Sequence, residues 1–187
     1  MAGPLEEVDG AAEAGKLPVE RPVSGGAIHP HVVHLKAGAD ILHETAPTLL
    51  EEAAALAPVL VGVAGQTDTS HSASLQYARG CVWLTPVRRP LVVAETLVHE
   101  TSHLKYFLSE DAGPFSSTDD PPRLKVPWRS DLRPLRAVLM GVHAWARVIV
   151  WLRAIERDEL RARAAQRLAI LEPAVCEGLA LIDSDLG

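Results

Sequence analysis

Two histidines lie four residues apart in the segment LVHETSHLKYF, residues 97–107. On an α-helix, residues i and i+4 share one face with their Cβ atoms about 6 Å apart, so two imidazoles placed there can bind one metal ion. Glu100 follows the first histidine and completes an HExxH pattern, in which the carboxylate can reach a metal-bound water or orient a ligand. The spacing therefore predicts a metal-binding helix with His99 and His103 as ligands.

The chain repeats the first three letters of this motif at His43-Glu44-Thr45, but Pro47 stands where the second histidine should be. The tripeptide alone therefore carries no information about metal binding. The 97–107 segment differs because it has the second histidine and the apolar flanks AETLV and LKYFL, which direct both imidazoles towards a protein interior. Two hydrogen-bonded core histidines without a metal are the alternative interpretation of the same pattern.

A catalytic metal site needs a third protein ligand and open coordination positions. His143 is the only histidine that follows the motif, and it lies inside the apolar segment VLMGVHAWARV. An isolated imidazole has little other reason to occur there, and Gly141 beside it would let this helix approach the motif helix closely. We therefore predict His99, His103 and His143 as the metal ligands.

The composition favours a soluble cytoplasmic protein. The 187 residues carry a net charge of -6, which argues against generic nucleic-acid binding. Two cysteines without CxxC spacing indicate neither a disulfide framework nor a zinc knuckle and suit a reducing compartment. The acidic first residues lack the apolar core of a secretory signal, and no apolar run is long enough to span a bilayer.

The pattern along the chain predicts a mainly α-helical fold with a small β-hairpin or sheet element. Residues 1–25 lack periodicity and are expected to form a disordered or loosely docked leader, followed by a single catalytic domain over residues 26–187. In that domain AIHPHVVHLKAG is expected to be a short strand, since Pro30 suits a strand start or edge. A helical segment with Asp40 as its N-cap follows, and SASLQYARGCVWLTPV, broken by Gly80, predicts a hairpin or a bulged strand pair.

The strongest helical patterns follow residue 90. Pro90 opens a helix through the HExxH motif, and a polar, proline-rich loop comes after it. Asp131 is expected to cap the next long helix, whose first turn would tolerate Pro134. A final helical segment reaches the C-terminus. We expect the HExxH helix to pack against this long C-terminal helical region.

Two reaction classes use such a metal site. In a zinc peptidase, Glu100 would act as general base towards a metal-bound water. A ferrous oxygenase instead needs open positions for a chelating 2-oxo acid and dioxygen, and a cation for the distal carboxylate of that acid. Arg129, Arg133 and Arg136 lie just before His143, with Arg133 expected in the first helical turn, and they favour the oxygenase.

The blocks ETLVHETSHLKYF and PWRSDLRPLRAVLMGVHA, followed by an arginine-rich terminal helix, resemble the HExxH-motif domain that occurs with bacterial ribosomal-peptide modification clusters. The likeness covers roughly residue 60 to the end. Members of that family are described as iron(II)/2-oxoglutarate-dependent peptide β-hydroxylases. The residues that carry the likeness are His99, Glu100, His103, Trp128, Arg129, Arg133, Pro134 and Gly141.

The resemblance implies ferrous iron, 2-oxoglutarate, dioxygen and a ribosomally synthesised peptide, with His99 and His103 as ligands. It favours Arg129 and Arg133 for the cosubstrate, whereas helical phase favours Arg136. Glu100 would then orient a ligand or the substrate rather than serve as a base. A partner modification enzyme is possible under this interpretation, while neither nucleic acid nor membrane is expected. A non-catalytic module that binds a peptide or a partner enzyme is the third interpretation.

Overall fold

The computed structural model describes residues 30–62, 70–85, 87–115 and 120–186, and the predicted leader lies outside these ranges. The described chain forms two compact units, one reaching Leu104 and the other beginning at Lys105. The predicted fold class is confirmed: helices dominate, with a small mixed sheet and a two-stranded sheet beside them. Whether residues 26–187 act as a single domain stays a prediction.

The first unit begins with two helices, α1 (Pro30–Thr45) and α2 (Pro47–Leu56). The expectation of a strand over AIHPHVVHLKAG is therefore wrong. Pro30 is the first residue of α1, a position that tolerates proline because its missing N–H would have no partner inside the helix anyway. Asp40 does not cap a helix. It lies within α1 and accepts a hydrogen bond from Lys36 one turn earlier, at 2.7 Å.

The sheet of the first unit has three strands: β1 (Val59–Gly62), β2 (Ser72–Ser74) and β3 (Cys81–Leu84). Their order is β1-β3-β2, with β1 parallel and β2 antiparallel to β3. Gly80 takes a φ of 85° immediately before β3, a conformation that favours glycine. The antiparallel pair confirms the predicted hairpin. Ser72 lies opposite Leu84 and so shares the face of that buried leucine.

The motif helix α3 (Pro90–Glu110) agrees with its sequence prediction and contributes much of the buried apolar surface of the first unit. It begins at Pro90, as expected for a proline in the first helical turn. α1 approaches it very closely at Gly38, where an added Cβ would lie 2.5 Å from Val93 Cγ1. Only a residue without a side chain permits that approach.

The second unit contains a short sheet formed by β4 (Leu124–Lys125) and β5 (Leu132–Arg133), then α4 (Leu135–Arg153) and α5 (Asp158–Leu186). The long C-terminal helix α5 packs against α4. The predicted cap of α4 is wrong. The backbone N–H of Leu135 donates to Asp120 Oδ2 at 2.9 Å, so the capping carboxylate comes from fifteen residues upstream and not from Asp131.

A buried tryptophan joins α4 to α5. Trp128 is 2% exposed, and its indole fills the space that side chains at Gly141 and Gly178 would occupy. An added Cβ would lie 3.0 Å from Trp128 Nε1 at Gly141 and 2.6 Å from Trp128 Cη2 at Gly178. Gly141 is therefore explained by the indole that packs on it. The two glycines and the ring between them set the spacing of the helices in this unit.

Within the described residues, α4 is the one helix with the length and apolar composition of a membrane span, so the expectation that no apolar run reaches that length is wrong. Ten of its residues, among them Val138, Trp145 and Trp151, are buried inside the protein. A core helix of a soluble fold has this pattern, because its apolar face is covered by neighbouring elements rather than by lipid. The fold is thus compatible with a soluble protein.

Substituting Gly178 by alanine is expected to destabilise the protein by about 1–3 kcal/mol, because the new methyl group would overlap the Trp128 ring and Val142. The sign of the change in the free energy of unfolding tests the packing, since a glycine-to-alanine change within a helix otherwise stabilises it by about 1 kcal/mol. Urea unfolding measures the effect. Glu177→Ala, at the exposed neighbouring position of α5, is the control and should change the free energy of unfolding by less than about 0.5 kcal/mol. A stabilised Gly178→Ala variant would contradict the proposed packing.

Candidate metal centre

The two histidines of the motif are buried side by side on α3. His99 is 3% exposed and His103 is 8% exposed. The apolar residues that flank them in sequence, including Leu97, Val98 and Leu104, are buried as well. The flanks thus direct the histidine-bearing part of the helix into the protein interior, as the sequence predicts.

The two imidazoles present the same nitrogen to each other. Nε2 of His99 and Nε2 of His103 lie 2.9 Å apart, the ring centroids lie 4.5 Å apart, and the ring planes cross at 87°. In a linear N–H···N hydrogen bond each ring would stand directly behind its nitrogen, and the centroids would be separated by about 2.3 Å more than the nitrogens. Here the difference is 4.5 − 2.9 = 1.6 Å. At least one ring is therefore inclined to the line that joins the two nitrogens.

The pair can act as two ligands of one ion. With metal–nitrogen bonds of about 2.1 Å, a nitrogen separation of 2.9 Å corresponds to an angle of about 90° at the ion, and a tetrahedral angle corresponds to about 3.4 Å. The two nitrogens therefore lie close enough together to bind one divalent ion.

Glu100 is held by the sheet of the first unit. It is 3% exposed, and Ser72 Oγ donates a hydrogen bond to its Oε1 at 2.6 Å. One turn earlier on the same face of α3, the hydroxyls of Thr96 and Ser70 lie 3.3 Å apart. Two contacts therefore join α3 to β2 and to the segment that leads into it, and one of them fixes the carboxylate beside His99.

The repeated tripeptide has a different environment. His43 and Glu44 are both exposed near the C-terminal end of α1. The same three letters thus produce a surface turn in one helix and a buried site in another. The second histidine and the apolar flanks distinguish the two, as expected from the sequence.

His143 lies in the middle of α4 and is half-buried. Its ring centroid lies 6.0 Å from that of Tyr106, with the planes inclined at 46°. Within the described part of the chain, no group of three or more His, Cys, Asp and Glu side chains meets the criteria for a metal site. Of the three predicted ligands, His99 and His103 therefore lie together. His143 as third ligand stays a prediction.

Arg129 and Arg133 bind the same carboxylate. Arg129 Nε lies 3.0 Å from Asp131 Oδ1, and Arg133 Nη1 lies 3.1 Å from Asp131 Oδ2. Burial alone would raise the pKa of Asp131, but the hydrogen bonds from the two guanidinium groups outweigh it and lower that pKa to about 2. The expected position of Arg133 in the first turn of a helix is wrong, because it belongs to β5 and precedes Pro134, the N-cap of α4.

Arg136, the third predicted cosubstrate residue, is bonded to Glu110. Its Nε donates to Glu110 Oε1 at 2.7 Å, and its guanidinium lies 5.9 Å from the ring centroid of Phe107. The Arg136 side chain is 22% exposed and that of Glu110 is 6% exposed. Hydrogen bonding to Glu110 raises the pKa of Arg136, so the guanidinium keeps its charge. All three predicted arginines are thus held in place by carboxylates.

Sequence reasoning missed three residues of this region. Ser72 gave no signal, because its contact with Glu100 spans 28 positions along the chain. Tyr106 and Glu110 did give one, since they follow His103 by three and seven residues and continue its helical stripe.

Comparison of the chain with protein-family models gives no match, and comparison with curated proteins gives none either. The resemblance to HExxH-type peptide β-hydroxylases therefore stays a prediction. The residues themselves carry it, and its functional content belongs to the proposal below.

Replacing His99 or His103 by alanine is expected to lower the affinity for Fe(II) and Zn(II) by more than about 100-fold, since even the loss of a supporting partner of a ligand lowers affinity by about 10- to 100-fold. Anaerobic competition with a chromogenic chelator measures the affinity. His43→Ala is the matched control, because His43 begins the same tripeptide on an exposed surface. Equal affinities for the His99→Ala and His43→Ala variants would exclude a metal at the pair.

The third ligand is tested by His143→Ala in the same competition assay. If His143 completes the site, this variant binds the metal more weakly than the wild type and more tightly than the variants that lose His99 or His103. Wild-type affinity for His143→Ala would show that the third ligand is a different group, while leaving the pair intact.

Proposed function

We propose that the protein is an iron(II)- and 2-oxoglutarate-dependent dioxygenase that hydroxylates a β-carbon of a residue in a ribosomally synthesised peptide. The observation that supports it best is the buried His99–His103 pair, because two imidazole nitrogens 2.9 Å apart can hold one ferrous ion. Such an ion retains open positions for a chelating acid and dioxygen after binding a few protein ligands. A cytoplasmic location suits this proposal, since the peptide would be met where it is made.

The overall reaction consumes the peptide, dioxygen and 2-oxoglutarate and yields hydroxylated peptide, succinate and carbon dioxide. One oxygen atom of dioxygen enters the new hydroxyl group and the other enters the carboxylate of succinate. The two electrons that dioxygen needs beyond those of the C–H bond come from oxidative decarboxylation of the oxo acid. Ferrous iron supplies the reactivity towards dioxygen and the unactivated C–H bond, which no side chain of the protein could provide.

The protein's own residues would bind the metal ion and orient a ligand or the peptide. His99 and His103 would hold the ion in a buried setting, where electrostatic interactions are stronger than in water. Glu100 lies beside His99 with one oxygen bonded to Ser72, so its orientation is fixed by the sheet. We assign it a positioning role towards a ligand or the peptide. Loss of its carboxylate should then weaken activity without abolishing it.

The arginines support a carboxylate-bearing cosubstrate. Arg129 has an 8% exposed side chain, and Asp131 fixes both Arg129 and Arg133. Guanidinium groups that are already ordered lose little conformational entropy when they bind an anion, and their planar fork suits a carboxylate. We propose that Arg129 or Arg133 binds the distal carboxylate of 2-oxoglutarate. Arg136 is the third candidate, and its bond to Glu110 makes it better suited to shaping the site.

A zinc peptidase with Glu100 as general base is the second candidate. The buried position of Glu100 directly after His99 favours it, because a general base must lie close to a metal-bound water. The arginines that precede His143 are the observation against it, since a peptidase has no obvious need for them.

The two candidates give different products. Protein loaded anaerobically with Fe(II) should develop a weak visible charge-transfer band when 2-oxoglutarate is added, and the band should disappear when air and a peptide are admitted. Mass spectrometry should then find succinate and a peptide heavier by one oxygen atom. Peptide fragments formed with Zn(II), without succinate, would establish the peptidase instead.

Arg133→Ala is expected to lower the affinity for 2-oxoglutarate by about 10-fold or more, because a hydrogen bond to a charged group contributes about 1.5–3 kcal/mol. Its metal content should equal that of the wild type. Arg153→Ala is the matched control, since Arg153 is also paired with a carboxylate but is 63% exposed at the far end of α4. Isothermal titration measures the affinity. Loss of metal from Arg133→Ala would contradict the assigned role.

A further inference from the structure

The phenol of Tyr106 is a buried polar group that neither the histidine pair nor the arginines explain. Tyr106 is 6% exposed, and its hydroxyl has no hydrogen-bond partner among the described residues. A buried hydroxyl in that state has lost its hydration without regaining a hydrogen bond, so most buried hydroxyls are satisfied. A group that persists in this state is a candidate for binding a ligand.

Its surroundings combine two aromatic rings with charged side chains. The ring of Tyr106 lies 5.2 Å from that of Phe115 and 6.0 Å from that of His143, measured between centroids. Glu110 follows one helical turn later on α3, and Arg136 binds its carboxylate. The phenol therefore lies beside the predicted third metal ligand and close to one of the predicted cosubstrate arginines.

The hydroxyl of a phenol carries its proton at physiological pH, so Tyr106 is a neutral hydrogen-bond donor. The carboxylate of Glu110 is bonded to Arg136, whose positive charge offsets part of the negative charge beside the phenol.

We propose that Tyr106 is a binding residue whose hydroxyl donates a hydrogen bond to a carboxylate oxygen of 2-oxoglutarate. The inference rests on the proposed function, which supplies this ligand. A neutral donor in an apolar setting strengthens the binding of a carboxylate without adding a charge that would need its own partner. The ligand in turn gives the hydroxyl the hydrogen bond that it lacks.

The chain has two tyrosines, which makes the test direct. Protein labelled with 3-fluorotyrosine should give two ¹⁹F signals, and the Tyr106→Phe variant assigns them. In the zinc-loaded protein, where no turnover occurs, adding 2-oxoglutarate should shift the Tyr106 signal and leave the Tyr77 signal in place. Tyr77 is 75% exposed and serves as the internal reference. A shift of Tyr77 alone, or of neither signal, would overturn the inference.

Tyr106→Phe should lower the affinity for 2-oxoglutarate by about 10-fold or more. Its metal content should be unchanged, and its thermal midpoint without ligand should be equal or higher, because the unsatisfied hydroxyl is removed. A residue with a purely structural role would not be expected to lower the affinity for 2-oxoglutarate while leaving the thermal midpoint equal or higher. Tyr77→Phe, the matched control, should change none of these quantities.

The outcomes separate this inference from the proposed function. If Tyr106→Phe binds 2-oxoglutarate as tightly as the wild type, the inference is wrong, while succinate formation would still support the dioxygenase. If Tyr106 is needed for binding but no peptide is oxidised, the binding role stands and the proposed reaction fails. If the wild type binds no 2-oxoglutarate, both are wrong.

Discussion

The approach of two imidazole nitrogens to 2.9 Å inside a buried helix is the constraint on which the candidate site depends. Two neutral imidazoles can meet in this way as donor and acceptor, and two ligands of one ion present their nitrogens at a similar separation. Burial of both side chains adds to the argument, because polar groups removed from water need strong partners in the interior. A divalent cation is such a partner.

The surrounding elements preserve this arrangement. α1 approaches α3 through Gly38, where no side chain could fit against Val93. On another side, β2 supplies the hydroxyl of Ser72 that fixes Glu100. The small sheet thus contributes to the candidate site. It positions the carboxylate of the motif by a contact with a residue far away in sequence.

The second unit orders its cationic groups by pairing them. Asp131 holds Arg129 and Arg133, and Glu110 holds Arg136. Such pairs contribute little to stability at a surface, but they fix the positions of long side chains. A carboxylate ligand would then meet guanidinium groups that are already ordered. The same unit leaves the hydroxyl of Tyr106 without a partner among the described residues, and the proposed carboxylate ligand would supply one.

Elements that depend on local periodicity were predicted correctly from the sequence. The predictions were wrong where one residue is compatible with two different structures. The motif helix, the hairpin with Gly80 and the two C-terminal helices follow from hydrophobic spacing and from the conformational preferences of glycine and proline. Pro30 suits a strand edge as well as a first helical turn, and the structure has the helix. Asp131 precedes a helix as a cap would, yet two arginines compete for its carboxylate and Asp120 takes its place. Contacts between distant residues, such as Ser72 with Glu100, leave no local pattern.

The most direct test of the metal centre counts its imidazole ligands. Pulsed electron paramagnetic resonance on protein loaded anaerobically with a paramagnetic divalent ion reports the number of coordinated histidine nitrogens. The account predicts three imidazoles in the wild type, two after His143→Ala, and three in the His43→Ala control. A spectrum without coordinated imidazole, or one that loss of His99 or His103 leaves unchanged, would contradict the central claim that the inclined pair binds a metal.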